Sequence, residues 1–325
     1  GPGAPGGSAA VVQVAVFEPV FTGREWIERS VRSALSQSVP SLEVVVVDDA
    51  STDATGELVS AIAARDARVR LLRSDVSLGP GGARNMAMDV ARGEWIALLD
   101  ADDRFHPRRL ERLLEAAATH RADVLADNQH FVHESNGRRG VMWPDLVRPI
   151  RLDAEAWVRN NVWSGPREFG FGYAKVFFRR ALVESPRLRM RPELRMMEDF
   201  HFILALLRRG HDLLLVPQPL YEYTVRSASL VHGGNRHADI LRVLEAGREV
   251  LRELPPGGLR SAMQEQQASV ELRVVRHRVL RRLKALDLPG AVGLLRRNPQ
   301  ATRLVADSLV QYAKGLPRRL QMASR

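Results

Sequence analysis

The sequence predicts an α/β fold: a Rossmann-like, mostly parallel sheet flanked by helices, followed by a C-terminal α-helical module. Three observations carry the prediction. From residue 11 to about residue 100, short apolar runs alternate with stretches of helical spacing. Within that stretch Val44-Val45-Val46-Val47 has no polar alternation, the signature of a parallel strand covered on both faces. After Arg226 the strand patterns stop and only helical ones remain.

The elements follow in order. Residues 1–10 read as a flexible leader or tag remnant, since they offer no apolar run to pack. Val11 to Phe17 is strand-like, Glu25 to Gln37 places Trp26, Ile27, Val31, Ala34 and Leu35 at helical spacing, and Leu42 to Val47 is β-branched, which completes a β-α-β unit. A helix follows from Thr55 to Arg65, with Ser51, Thr52 and Asp53 as cap candidates, then a strand (Val69 to Arg73), a Gly-rich loop, a helix (Ala83 to Ala91) and a buried strand (Trp95 to Leu99). Residues 104 to 225 are more mixed. They hold a helix (Pro107 to His120), a strand (Asp123 to Asn128), a loop-rich stretch with Trp143, Trp157 and Trp163, a strand near Lys175 to Arg179, a helix (Glu198 to Arg209) and a strand (Asp212 to Val216). Helical patterns run from Ala238 to Leu254, Leu259 to Leu286 and Ala301 to about Leu320, broken at Pro255-Pro256-Gly257-Gly258 and Pro289-Gly290.

Composition removes several functional classes. With 45% apolar and 6% aromatic residues the chain is not wholesale disordered, and 325 residues suffice for two or three cores. The absence of cysteine excludes a disulfide framework, a thiolate metal site and a Cys nucleophile. Together with the lack of any apolar run near the ~18 residues of a membrane span, it fits a cytoplasmic protein, peripheral at the inner face of the membrane. The net charge of +10 is not spread evenly: residues 241–325 carry 17 basic and 7 acidic groups, whereas residues 1–240 carry 31 of each. Only Lys175, Lys284 and Lys314 are lysines. So strong an arginine bias reflects either genomic composition or a use for guanidinium groups.

Three acidic clusters fall where an α/β sheet presents side chains to a ligand, beyond the carboxyl ends of its strands. Asp48-Asp49 closes the valine strand, with Ser51-Thr52-Asp53 following. Asp100-Ala101-Asp102-Asp103 closes the next buried strand. On an extended segment its D-x-D spacing would point Asp100 and Asp102 the same way, and such a pair suits a hard divalent cation completed by phosphates and water. The competing explanation is a turn whose aspartates cap the helix after Pro107. Glu198-Asp199 opens a helix, either as favourable first-turn carboxylates or as a general base. Between the clusters, Ser77-Leu78-Gly79-Pro80-Gly81-Gly82-Ala83-Arg84-Asn85 opens another helix and reads as a tight turn or a phosphate-facing loop, but has neither Walker A nor dinucleotide-fold spacing. The segment Tyr221 to His232 adds Arg226, a fork for diphosphate oxygens, with Ser227, Ser229 and His232 in reach; His232 is a candidate third metal ligand, or a surface residue.

Taken in order, these segments resemble the inverting family 2 glycosyltransferases of GT-A fold. The resemblance rests on Val14 to Gln37, VVVVDDASTD (Val44 to Asp53), LGPGGARN (Leu78 to Asn85), GEWIALLDADD (Gly93 to Asp103), YAKVFFRR (Tyr173 to Arg180), Glu198-Asp199 and Tyr221 to Ser229, in family order over residues 11–232. It implies a nucleotide-sugar-binding half at 11–130, an acceptor-binding half at 131–232 and an appended basic helical module at 233–325. On the donor side it implies Pro19, Phe21, Asp49, Arg84, Asp100, Ala101, Arg226 and Ser229. It makes Asp102 a ligand of Mn²⁺ or Mg²⁺, with His232 as its candidate companion, and Asp199 the base that deprotonates the acceptor hydroxyl, beside Glu198. The implied donor is a nucleotide-sugar, foremost a UDP-sugar, and the acceptor a saccharide, cell-wall polymer or lipid-linked sugar. Two departures stand out: Glu18-Pro19-Val20-Phe21-Thr22 lacks the family's Asn in the first turn, and Ser77 stands where the family has Asn. Within the family, the Gly-Pro-Gly-rich loop, the Pro-Glu-Leu before Glu198 and the C-terminal region look most like enzymes that glycosylate cell-wall polymers such as wall teichoic acid.

Two other classes compete. Charge alone suggests a nucleic-acid-binding protein, but the excess lies off the acidic crevice, no nucleic-acid motif is present, and aromatics are scarce in the basic segment, so no nucleic acid is expected as partner. A non-catalytic glycosyltransferase-like interaction module would not need all three acidic clusters. The basic helices suit an anionic membrane surface or a phosphate-rich polymer. Their apolar stripe, including Leu259, Met263, Val270 and Val274, must pack on the catalytic body or on a second copy, giving a homo-oligomer.

Overall fold

A computed structural model of the chain describes residues 12–162, 169–226 and 236–315. They form two compact units, one built on a sheet and one, from residue 236 onward, of helices. The strands are β1 (Val14–Val20), β2 (Leu42–Asp49), β3 (Val69–Ser74), β4 (Trp95–Leu98), β5 (Arg104–Phe105), β6 (Val124–His133), β7 (Arg139–Val141), β8 (Ile150–Leu152), β9 (Phe177–Arg179) and β10 (Leu213–Val225). The helices of the first unit are α1 (Ile27–Leu35), α2 (Thr55–Ala63), α3 (Gly79–Met88), α4 (Arg109–His120), α5 (Ala154–Arg159), α6 (Ala181–Glu184) and α7 (Glu198–Leu207). The helices of the second are α8 (Arg236–Glu253), α9 (Gly258–Lys284), α10 (Leu288–Arg297) and α11 (Ala301–Gly315).

The sheet runs β3-β2-β1-β4-β9-β6-β10-β5, with β7 on β6 and β8 on β10. β1 pairs in parallel with β2 on one side and β4 on the other, so the chain reverses its direction of winding between them. That reversal opens a crevice beyond the carboxyl ends of β1 and β4. The valines of β2 are wholly buried, as their unbroken run requires. One face of the sheet packs Val14, Val16, Val44 and Val46 against Ile27, Val31 and Ala34, the i, i+4, i+7 stripe of α1. Burying each of these valines and Ile27 contributes about 1.5–3 kcal/mol, which is why this patterning decides the register.

Local differences from the sequence expectation have physical causes. β1 continues through Glu18 and Pro19, because its pairing with β4 stops at Phe17 and the missing N–H of Pro19 falls where only β2 remains beside it. α3 starts at Gly79, not Ala83: the glycine-rich segment is its first turn, with Pro80 where a helix N-terminus tolerates it. There a Cβ on Gly81 would sit 2.9 Å from the carbonyl oxygen of Arg191, so only glycine allows the two backbones to approach. β10 extends to Val225, so Tyr221 to Val225 is strand and not loop. α10 forms across Pro289-Gly290, expected as a break, because Pro289 sits in its first turn and Asp287 accepts from Gly290 N at 2.9 Å.

Two further placements bear on the site. β9 runs antiparallel between β4 and β6, with Ala97 opposite Phe177, so Lys175 just before it arrives at the carboxyl end of β4. The 13-residue β10 follows β6 in parallel and delivers Tyr221, Tyr223 and Arg226 to the same edge. In the helical unit α8, α10 and α11 each pack on α9, the last two around Val279, Ala291 and Val305. Among the described residues no helix is long and apolar enough to cross a membrane.

Candidate active site

Side chains alternate along β2, so its two terminal aspartates diverge. Asp48 accepts from Ser51 N at 3.0 Å and pairs with Arg73 at 3.3 Å. Asp49 accepts from Leu78 N (2.6 Å), Gly79 N (2.9 Å) and Ser77 Oγ (3.0 Å). Its carboxylate therefore caps α3 and holds the glycine-rich turn in place.

Asp100 to Asp103 form a turn, closed by Asp103 N donating to Asp100 O at 2.9 Å. This corrects the D-x-D expectation of two carboxylates on one face of an extended segment, since the turn sends each aspartate to a different partner. Asp100 takes Lys175 Nζ at 2.5 Å and Arg84 Nη2 at 2.6 Å. Burial alone would raise its pKa, but those two cations hold the carboxyl well below the usual carboxylate range. Asp103 is fully buried and accepts from Tyr221 Oη (2.7 Å) and Thr224 N (2.8 Å). Burial and the charge of Asp102 push it far up. Asp102 is one-fifth exposed and, among the described residues, its carboxylate pairs only with Arg226, with Nε 2.6 Å from Oδ2, while the Arg226 guanidinium stacks 4.2 Å from the ring centre of Trp26. Burial and Asp100 raise its pKa, against the pull of Arg226.

Arg84 ties the Asp100 turn to α7. It is nearly buried, with Nη2 on Asp100 and Nη1 on Glu198 Oε1 at 2.8 Å. Burial opposes its charge, but the carboxylates around it, led by Asp100 and Glu198, more than compensate. Both its Nη groups are thus spent on protein carboxylates, and Arg84 acts as an internal brace. Asp199 follows on the first turn of α7, half-buried, after Met197 at φ +59°. Thr22 (φ +51°) and Ala50 (φ +62°) occupy the same left-handed region in the turns after β1 and β2, so three non-glycine strains cluster on the loops at this edge. Burial and the neighbouring Glu198 push the Asp199 carboxyl up to about 7, against the opposing pull of Lys175 and Arg84.

Of the remaining expected residues, Pro19 is half-buried, Phe21 is 49% exposed at the lip of β1, and Ala101 lies in the aspartate turn. Ser229, His232 and Trp163 lie outside the described residues. Trp143 and Trp157 are buried, the latter stacked on Phe200. Sequence reasoning did not single out Lys175, although it is the one lysine among the 31 basic residues up to position 240. Arg109, itself paired with Asp127 at 2.7 Å with neither side chain exposed, donates to Lys175 O at 2.9 Å and fixes its backbone. Tyr221 bridges Asp103 and the backbone N–H of Asp100 (3.1 Å). Tyr173 and Tyr223 meet edge to face at 5.5 Å, and Lys175 Nζ lies 5.6 Å from the Tyr223 ring centre. Glu18, wholly buried at the end of β1, is pushed well up by burial, against the pull of Ser30, with Asp100, Asp102 and Asp103 adding like charge. Nothing in a linear pattern marks that burial.

Among the described residues no group of three or more acids or histidines forms a metal cage. The donor set still fits a hard cation of the Mg²⁺ or Mn²⁺ kind. Asp102 offers oxygen ligands, and it is the one carboxylate of its run with no hydrogen bond into the body of the sheet, so phosphate and water would complete the shell. A separate cavity of about 470 Å³, lined by Met88, Asp89, Ala91, Glu184, Arg187 and Arg189, holds a single network in which both arginines bind Asp89, and none of the site carboxylates reaches it.

A Rossmann-like sheet thus carries acids at the ends of β2 and β4, braced to an acid-bearing helix, at the switch-point crevice where such sheets bind ligands. Residues 16–183 match the family described as "Glycosyl transferase family 2", and the chain belongs to that family and is a glycosyltransferase. It is 35% identical over 295 residues to the succinoglycan biosynthesis protein ExoO of Rhizobium meliloti, covering 90% of this chain and 84% of the relative. Its fold is similar to that of S. aureus TarS in complex with UDP-GlcNAc (TM-score 0.64, 21% identity, 79% and 72% of the two chains). It is also similar to the mannosyltransferase PcManGT of Pyrobaculum calidifontis in complex with GDP-Man and Mn²⁺ (TM-score 0.60, 19% identity, 96% and 83%).

Proposed function

We propose that the enzyme transfers a sugar, with inversion, from a nucleoside-diphosphate donor to a saccharide hydroxyl. The observation that carries this reading is the Arg84 brace, which joins Asp100 on the donor side to Glu198 and so sets Asp199 beside the crevice with its carboxyl pushed up to about 7. A carboxylate titrating near neutrality accepts a proton from an attacking hydroxyl efficiently while remaining ionised for much of the time. One base on one face and one leaving diphosphate on the other make a single displacement, which inverts the anomeric centre.

The donor side comprises the lip of β1 (Pro19, Phe21), the α3 turn held by Asp49, and the Asp100-Ala101-Asp102 turn. Arg226 and Ser229 complete it. Phe21 packs against the base, Asp100 holds the ribose or sugar hydroxyls, and Arg226 leaves Asp102 for the diphosphate. Asp102 would hold Mn²⁺ or Mg²⁺, with His232 as candidate companion, and such an ion would supply charge neutralisation for the leaving diphosphate. The solved relatives carry UDP-GlcNAc and GDP-Man, and we favour a UDP-sugar. Tyr173 and Tyr223, which meet edge to face near Lys175, are our candidates for contact with an acceptor sugar. The relative named for succinoglycan biosynthesis supports a growing polysaccharide or its precursor as acceptor.

A thermal-shift and hydrolysis screen of UDP- and GDP-sugars, with and without Mn²⁺ or Mg²⁺, tests the reading, because a ligand that binds only the folded state raises Tm by mass action. A metal-dependent shift with at least one donor is expected. Absence of both shift and turnover with every donor, or full transfer in both Asp102→Asn and Asp199→Asn, rejects it.

A further inference from the structure

The turn between α9 and α10 presents apolar residues to solvent in a way that stability does not explain. Leu286 is 85% exposed and has φ +58°, the left-handed position after a helix that favours glycine or asparagine. Its N–H donates to Leu283 O (3.1 Å) and that of Asp287 to Arg282 O (2.9 Å), so the turn is well formed and its leucine is held outward. Leu288 (60% exposed) and Val292 (46%), one helical turn apart, extend the patch along α10.

Cations precede this tip on the last turn of α9 and follow it at the far end of α10. Residues 281–297 hold five basic groups, Arg281, Arg282, Lys284, Arg296 and Arg297, against one acid, Asp287. That acid is spent internally, since Asp287 pairs with Arg282 and caps α10 through Gly290 N at 2.9 Å. Arg281, Lys284, Arg296 and Arg297 have no ion pair among the described residues and are exposed.

We infer that this α9–α10 tip is a docking surface for an anionic phospholipid bilayer. Leu286, Leu288 and Val292 insert at the headgroup boundary while the flanking cations meet phosphates. A second copy of the chain fits worse, because a two-fold contact through the tip would set two cationic rims against each other over only three apolar side chains. The surface belongs to the helical unit alone and holds for any donor or acceptor the catalytic unit takes.

The test is flotation of the full chain with vesicles of phosphatidylcholine alone and with phosphatidylglycerol added. Binding to the anionic vesicles only, weakened by salt, is expected. Leu286→Ser combined with Leu288→Ser should lower vesicle affinity, and Lys284→Glu with Arg296→Glu should lower it about tenfold or more. Donor hydrolysis by both variants should stay unchanged, which certifies their fold. Failure of the wild-type chain to float with anionic vesicles at low salt overturns the inference. So does undiminished flotation of both variants, or light scattering that shows a dimer lost on the leucine substitutions.

Discussion

Arg226 Nε stands 2.6 Å from Asp102 Oδ2, so a guanidinium occupies the carboxylate that would hold a divalent cation. On the proposed reading the two cations would compete for one anion until a diphosphate arrived to satisfy Arg226 instead. Arg226→Gln, which keeps much of the side-chain volume over Trp26, should therefore tighten Mn²⁺ binding to the donor-free enzyme. It should also slow transfer by about 10²-fold, because the leaving diphosphate loses a charged donor. Calorimetry with Mn²⁺ alone and a steady-state transfer assay separate the two effects. An unchanged or weaker Mn²⁺ affinity would show that Arg226 does not guard the metal-side oxygen.

The Asp199 carboxyl, pushed up to about 7, makes two demands of opposite sign. A base must be ionised, so kcat/KM should rise with pH through about 7 and level off above it, and Asp199→Asn should lower transfer by about 10²–10⁴-fold. Stability runs the other way. A carboxyl whose folded pKa exceeds its unfolded value favours the folded state fully below the unfolded pKa and loses that contribution as pH rises through the folded one. Above pH about 7 the wild type holds a disfavoured charge beside Glu198 that the asparagine variant lacks, so Asp199→Asn should melt at higher temperature there while gaining little near pH 4. A flat kcat/KM profile, or a variant less stable at pH 8, would contradict this placement of the charge.

What was legible in the sequence divides along physical lines. Strands of the Val44–Val47 kind and the Ile27-Val31-Ala34 stripe announce themselves because burial acts on every residue of a short periodic window. Acids at strand ends were legible for the same reason, since strand topology alone sends them to the crevice edge. Partners were not. That Arg84 braces Asp100 to Glu198, or that Lys175 meets Asp100, depends on contacts across 114 and 75 residues of chain that no local pattern encodes. The Asp100–Asp103 run takes the turn and not the extended alternative because one backbone bond, Asp103 N to Asp100 O, overrides D-x-D alternation. α10 was missed because Pro289-Gly290 usually punctuates, whereas a cap at Asp287 turns the same proline into a first-turn residue.

Lys175 is nearly buried, and its ammonium is bonded to a carboxylate that Arg84 also holds. Burial opposes the charge, but Asp100 and Asp103 outweigh it and keep the lysine protonated far above ordinary pH. Lys175→Met leaves Asp100 with one cation in place of two and should cost on the order of 3 kcal/mol of stability. Removing the stranded charge as well, in Lys175→Met with Asp100→Asn, should recover part of that loss, giving a coupling clearly different from zero in a double-mutant cycle. Urea unfolding of the four proteins measures it. Strict additivity would mean that the pair contributes nothing beyond its separate environments.

Gly81 offers a test of how the α3 turn is held. Its missing side chain lets the helix lie against the backbone at Arg191, where a Cβ would stand 2.9 Å from a carbonyl oxygen that cannot rotate away. Arg84, one turn further along α3, owes its reach to both Asp100 and Glu198 to that approach. Gly81→Ala raises helix propensity, by itself a stabilising change of about 1 kcal/mol, so a purely local view predicts a more stable enzyme. The steric view predicts the reverse: a net loss of about 1–2 kcal/mol as α3 is pushed outward. The Arg84 brace would lengthen with it, so kcat should fall by a larger factor than donor affinity, since Asp199 is displaced from the reacting centre while the β1 and β4 loops still bind the nucleotide. Thermal unfolding and donor titration of the one variant decide between the two views, and a rise in Tm with unaltered kcat would favour the local one.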